Sequence, residues 1–373
     1  MLPIAASDEC NSRDLSHLNQ SLLPITRVVI LSNNKSVFVL LGMLLTVALT
    51  LALALGPVSI SLQNLARVLV GSLGFDVVIT PAVEQAQLIV SQIRLPRALL
   101  GLAVGAVLAL SGVAMQGLFR NPLADPGLIG VSSGAALGAA VAIVGGSLLG
   151  GLPDIWSPYI LSACAFVGGL VVTALVYRLG RRDGQTHVAT MLLAGIALAA
   201  LAGAAIGLFT YLADDATLRT LVFWNLGSLN GASYARLWPL LLITFAVALW
   251  LPRRAKALNA LLLGESEARH LGFSVEKLKR ELVFCTALGV GAAVAAAGMI
   301  GFIGLVVPHV LRLAVGPDHR ILLPASALAG ASLLLFADLA ARLILAPAEL
   351  PIGIVTALIG APFFLYLLLK SRF

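Results

Sequence analysis

Gly101-Leu102-Ala103-Val104-Gly105-Ala106-Val107-Leu108-Ala109-Leu110-Ser111-Gly112 is the middle of a run, 98–119, that holds no charged residue. Such a run is too long for a buried strand. At about 1.5 Å per residue it crosses a hydrocarbon core about 30 Å thick as a helix. Gly101, Gly105 and Ala109 recur every four residues, as do Gly130, Gly134 and Gly138, so each triplet lines one helix face with small side chains. These stripes read as close packing inside one chain rather than as a dimer seam. Working outward, further charge-free runs lie at 37–66, 127–153, 155–177, 188–213, 220–235, 237–252, 282–308, 321–337 and 350–369.

Two runs need interpretation. The run 220–235 carries Asn225, Gly227, Ser228, Asn230 and Gly231, which reads as a short helix and loop at one surface. The run from 282 is too long for one span, and Gly298, Gly301 and Gly304 offer a break. The result is an all-α polytopic membrane protein with ten spans, at about 37–56, 98–118, 128–149, 158–178, 189–210, 236–251, 282–297, 300–314, 321–341 and 350–369.

Composition agrees. Hydrophobic residues make up 60% of the 373 and charged residues 11%, against about 45–50% and about 25% in soluble domains. This excludes a soluble enzyme, a disordered chain and a disulfide scaffold. The net charge of +7 is explained by Lys and Arg gathering in cytoplasmic loops, without nucleic acid. With the N-terminus inside, only Arg67, Arg94, Arg97, Arg219, Arg236 and Arg342 of the 24 basic residues fall outside, which places both termini in the cytoplasm. Ala52-Leu53-Ala54 looks like a signal-cleavage site. The preceding Asp8, Glu9 and Asp14 make a poor signal n-region, so the first helix is expected to stay uncleaved behind a mobile extension, 1–35. Residues 36–373 form the transmembrane domain.

The chemistry is defined by what is missing. None of the five lysines follows a glycine, so no phosphate loop exists. No catalytic constellation and no metal-ligand spacing occurs, and the three cysteines are scattered. Within the spans Asp338 and His309 are the notable ionisable residues, too few for a proton or sodium pathway. His309 reads as a hydrogen-bonded histidine near a helix break, with metal ligation as the alternative. The chain looks like a conduit driven from outside itself.

Charge concentrates in the cytoplasmic loop at about 252–281. There Gly264 and Gly272 bracket a helix of about two turns holding Glu265, Ala268, Arg269 and Leu271. Leu261, Leu262, Ala268 and Leu271 are expected on one apolar face that docks into a partner's groove; the alternative is a helix lying on the lipid interface. On the outer side Arg94 and Arg97 precede the second span, where Pro96 is expected to begin the helix, and Arg342 ends the ninth. They read either as interfacial anchors or as contacts for carboxylates of a soluble partner.

Longer motifs add a resemblance. Arg94-Leu95-Pro96-Arg97, Gln116-Gly117-Leu118-Phe119-Arg120-Asn121-Pro122-Leu123-Ala124-Asp125-Pro126-Gly127, Gly301-Phe302-Ile303-Gly304-Leu305-Val306-Val307-Pro308-His309 and Glu349-Leu350-Pro351 carry it. From about residue 35 onward the chain resembles the permease subunits of bacterial ABC importers for iron chelates, haem and cobalamin, the type II importers. The resemblance implies a homodimer in the inner membrane with the pathway along its axis. It implies two ATP-binding cassette subunits inside, which use the ATP, and a periplasmic substrate-binding protein outside. It makes Gly264 to Gly272 the coupling helix, Arg94, Arg97 and Arg342 the binding-protein contacts, and Asn121 and Leu123 the cytoplasmic gate. A second narrowing belongs between the fourth and fifth spans, around Asp183 to Val188, where no gate residue is assigned. The pattern is most like haem importers, notably at Asp214-Asp215 with Leu218-Arg219 and at Ala346 to Glu349. Haem is then the cargo rather than a bound cofactor, with cobalamin or a ferric siderophore as the alternative. A stand-alone secondary transporter is the rival mechanism. Arg219 would steer haem propionates, or else pair with Asp214 or Asp215.

Overall fold

The structure is a computed structural model that describes residues 34–76, 78–148 and 157–370. The expected extension lies outside these residues up to position 33. The chain runs α1 (Asn34–Ala54), α2 (Leu62–Ser72), α3 (Pro81–Ile89), a π-turn (Val90–Arg94) and α4 (Leu95–Leu118). A 3-10 turn (Pro126–Ile129) leads to α5 (Val131–Leu148), α6 (Ser157–Gly180), a two-stranded hairpin of β1 (Arg181–Arg182) and β2 (Gln185–Thr186), α7 (Val188–Leu212), α8 (Asp215–Asn225) and α9 (Tyr234–Arg253). Then follow α10 (Ala255–Leu263), α11 (Glu265–His270), α12 (Val275–Ala297), α13 (Ile303–Val315), α14 (His319–Leu343) and α15 (Ile352–Lys370).

Among the described residues seven helical segments are long and apolar enough to cross a bilayer, and α5, α13 and α15 supply three shorter apolar ones. Each of these apolar helices overlaps one of the expected spans, and seven of them reach spanning length. The second differs in length. Helix continues unbroken from Pro81 to Leu118, 38 residues, so the helix begins well before Pro96. Proline cannot donate to the ladder, and the chain widens into the π-turn just before it, where Leu95 N bonds Val90 O. The long run from 282 breaks as expected: α12 ends at Gly298 (φ 72°), and Phe302 (φ 67°) turns the chain into α13. Gly304 lies inside α13 rather than at the break.

α4 is the hub, buried along nearly its whole length. Its small residues admit neighbouring backbones. A side chain at Gly105 would strike the Gly330 carbonyl of α14, and one at Gly112 would strike the Gly304 carbonyl of α13. Gly134 and Gly138 of α5 meet Gly168 and Cys164 of α6 in the same way. The small-residue stripes are therefore contacts within the chain, where dispersion between close backbones does the work that water exclusion does in soluble cores. Gly130 precedes α5 and closes the 3-10 turn in the left-handed region (φ 78°), yet a side chain there would still strike Val172 of α6. α7 is the contrast, since only Met191, Gly195 and Ala202 along its 25 residues are buried.

Candidate functional site

The loop at about 252–281 folds into two helices separated at Gly264, whose φ of 134° disfavours other residues. α11 lies between Gly264 and Gly272, as expected, but its apolar face turns the other way. Ala268 is fully buried in the chain and Leu261 nearly so, while Leu271 is 60% and Leu263 69% exposed. The reason is a return of the chain: Phe273 N bonds Ala268 O at 3.0 Å and folds the following segment against the helix. Leu263, Leu271 and the half-exposed Arg269 are among the residues this segment leaves on the surface. Ala268 supports α11 from within the chain.

Two polar knots fix this loop to the helical body. In one, Asn259 of α10 donates to Asp318 Oδ1 (2.7 Å) and accepts from His319 N (2.9 Å) at the start of α14. Asp318 also accepts from Arg320 N at 2.9 Å, and that backbone donor, with Asn259 behind it, holds its carboxyl below the usual range. In the other, Lys279 of α12 holds Glu265 of α11.

The turn after α4 is an Asx turn: Asn121 Oδ1 accepts from Leu123 N at 2.9 Å. Asn121 is exposed and Leu123 half-buried, with Arg120 at a positive φ of 48° before them. His309 lies within α13, against the Pro122 backbone, so it sits in a helix rather than at a break. No group of three or more His, Cys, Asp or Glu stands together among the described residues.

At the opposite end the three arginines are not free on the surface. Arg94 is 4%, Arg97 8% and Arg342 4% exposed. Arg97 lies 2.9 Å from Asp338 and grips Glu349 with its other nitrogen at 3.0 Å; Arg342 lies 3.1 Å from Asp338. Arg94 donates to the Leu53 and Ala54 carbonyls at 2.6 and 2.7 Å and to that of Val58, and Arg342 reaches those of Ala52 and Leu55. The orphan carbonyls at the end of α1 thus meet cations. The picture of arginines exposed to the outer medium is corrected: partners distant in sequence draw them inward.

Arg219 and Arg236 line an open cavity of about 430 Å³ with Phe223, Trp224 and Asn230. Arg219 is exposed and forms no ion pair among the described residues. Asp214 is instead the N-cap of α8, accepting from Thr217 N at 2.8 Å. The Arg219–Asp214 or Arg219–Asp215 pairing expected as one alternative does not form.

Sequence reasoning left Thr186, Glu276 and Lys279 out of the site. One signal was present: Asp183-Gly184 is a hairpin turn dipeptide, and both residues take positive φ (52° and 77°). Comparison with known proteins now places the molecule. The FecCD transport family matches residues 44–370. The chain belongs to the FecCD transport family. It is 49% identical over 286 residues to the hemin transport system permease protein HmuU of Yersinia pestis, covering 75% of this chain and 83% of that one. It is 48% identical over 288 residues to the vitamin B12 import system permease protein BtuC of Escherichia coli, covering 77% and 86%. An inward-facing metal-chelate type ABC transporter has the same fold, with a TM-score of 0.78 and 34% identity over 91% of this chain and all of that one.

Proposed function

We propose that this FecCD-family chain is the membrane permease of an ATP-driven importer that takes haem from a periplasmic binding protein and releases it into the cytoplasm. The observation that carries the importer reading is the family match across nearly all of the helical domain, joined to a loop helix with exposed Leu263 and Leu271 beside it. In this reading the ten apolar segments all cross the inner membrane and both termini lie inside. Two copies enclose the path and alternate between outward- and inward-open states. Two ATP-binding cassette subunits seat α11 and hydrolyse ATP, and the turn at Asn121 and Leu123 narrows the inner end.

The outer arginine cluster is the proposed platform for the binding protein. The cluster holds three guanidiniums and two carboxylates, with Arg94 held by backbone carbonyls instead, so a positive charge is left over. Glu349, whose side chain is 25% exposed, is the carboxylate most open to exchange with one from the partner. Identity to the hemin and vitamin B12 permeases, 49% and 48%, does not separate the cargoes. Haem is favoured by the unpaired Arg219 at a cavity with aromatic walls, which suits a flat ring bearing propionates. Cobalamin is the second reading, on the strength of the near-equal identity.

Reconstitution with the cognate ATPase and binding protein in liposomes tests this directly. ATP-dependent haem uptake is expected, without comparable uptake of cobalamin or a ferric siderophore. Uptake of another chelate overturns the cargo assignment and keeps the importer; uptake without ATPase overturns the mechanism.

A further inference from the structure

Lys279 is 1% exposed, and an ammonium has three donors. Each has an oxygen: Thr186 O at 2.9 Å, Glu265 Oε2 at 2.8 Å and Glu276 Oε1 at 3.2 Å. The oxygens come from different elements. Glu265 opens α11, Glu276 lies in the first turn of α12, and Thr186 ends the hairpin between α6 and α7. Glu276 closes the ring, since its Oε2 accepts from both Thr186 N (2.9 Å) and Thr186 Oγ1 (2.7 Å). Every polar atom of Thr186 is therefore held by Lys279 or Glu276.

We propose that Lys279 is a positioning residue that locks α11 to the hairpin leading into α7, so that displacement of α11 displaces the start of α7. The α11 end of this proposal rests on the importer reading, in which an ATPase moves that helix. Three observations support transmission rather than mere anchorage. First, pulling either Thr186 or Glu265 away leaves a donor of a buried cation unmet, so the two elements move with Lys279 rather than past it. Second, the hairpin is short and tight. His187 N bonds Gly180 O at 2.8 Å and α7 begins at Val188, so a shift of Thr186 has no slack to absorb it. Third, α7 buries only Met191, Gly195 and Ala202 in the chain, so most of its surface is free of other elements. Its Gly195 lies against the Leu128 carbonyl of the 3-10 turn, a few residues beyond Asn121 and Leu123. A push on α11 thus reaches the helix bordering the inner end of the path.

The test uses the full complex with Lys279→Met and Lys279→Arg, each normalised to folded complex. Hydrogen exchange is read at 181–188 and at 265–272 with and without the ATPase, beside uptake per ATP. In the wild type, ATPase docking is expected to slow exchange in both segments. In Lys279→Met the response at 265–272 stays and that at 181–188 is lost, with uptake per ATP down tenfold or more; Lys279→Arg restores part of both. An undiminished response at 181–188 in Lys279→Met overturns the lock. If the wild type shows neither uptake nor protection at 265–272, the importer reading falls instead. The lock is then decided on the protein alone, where Lys279→Met must speed exchange of the Thr186 amide at least tenfold and an unchanged rate overturns it. Should Lys279→Met fail to fold, Glu265→Ala removes the acceptor on the α11 side only and carries the same expected loss and the same overturning result.

Discussion

Arg97 aims its guanidinium at two carboxylates at once, Asp338 and Glu349, in a site that is nearly closed to solvent. A charge so placed persists only because it is paired. Arg97→Met leaves Asp338 facing Arg342 alone and Glu349 without its partner. The expected cost is about 3–5 kcal/mol, read as a drop in thermal unfolding temperature of the purified protein. Arg97→Met combined with Asp338→Leu is expected to lose less than the two single variants together, because their shared ion pair is then counted once and Asp338 no longer stands as a buried carboxylate short of a partner. Simple additivity would mean that the pair is not coupled. Glu349→Gln, at a part-exposed position, is expected to cost less than Arg97→Met. All the residues of this cluster were prominent in the sequence motifs. Their meeting was not legible, since Arg97 and Asp338 lie 241 residues apart.

At the scale of elements, turn and cap chemistry decides where helices begin and stop. Gly298 and the left-handed Phe302 separate α12 from α13, and glycine spacing showed that break in advance. α2 and α3, by contrast, were not anticipated, although Ser61 and Thr80 are side-chain caps and Pro81 opens α3. α14 offers a measurable cap. Its N-cap Asp318 accepts from Arg320 N and Asn259, and these donors hold its folded pKa down. A depressed carboxylate stabilises the fold above its unfolded pKa, about 3.9, and that contribution fades as pH falls through the folded value. Asp318→Ala is therefore expected to cost about 1 kcal/mol at pH 7. The difference from wild type should shrink below about pH 4; a gap independent of pH would assign the loss to packing instead.

For the whole molecule the uneven burial of α7 matters most. Gly203 and Gly207 of this helix have nothing from the chain within 4 Å. A Cβ added there meets no part of the same subunit. Gly203→Leu is expected to leave monomer stability within about 0.5 kcal/mol while lowering the dimer fraction measured by light scattering in detergent. An unchanged dimer fraction would move the proposed homodimer seam away from this face of α7.

The sequence by itself determined the membrane class, the ten apolar segments, their breaks and the family. Hydrocarbon leaves a backbone few options, so length and apolarity report a helix without any knowledge of its neighbours. Tertiary structure alone decided which charges meet. It turned Arg94, Arg97 and Arg342 inward, rotated Ala268 into the core and Leu271 out of it, and set Lys279 between Thr186 and Glu265. Those outcomes depend on contacts between residues far apart in the chain, where a buried charge must find partners wherever packing brings them. No local pattern encodes that choice.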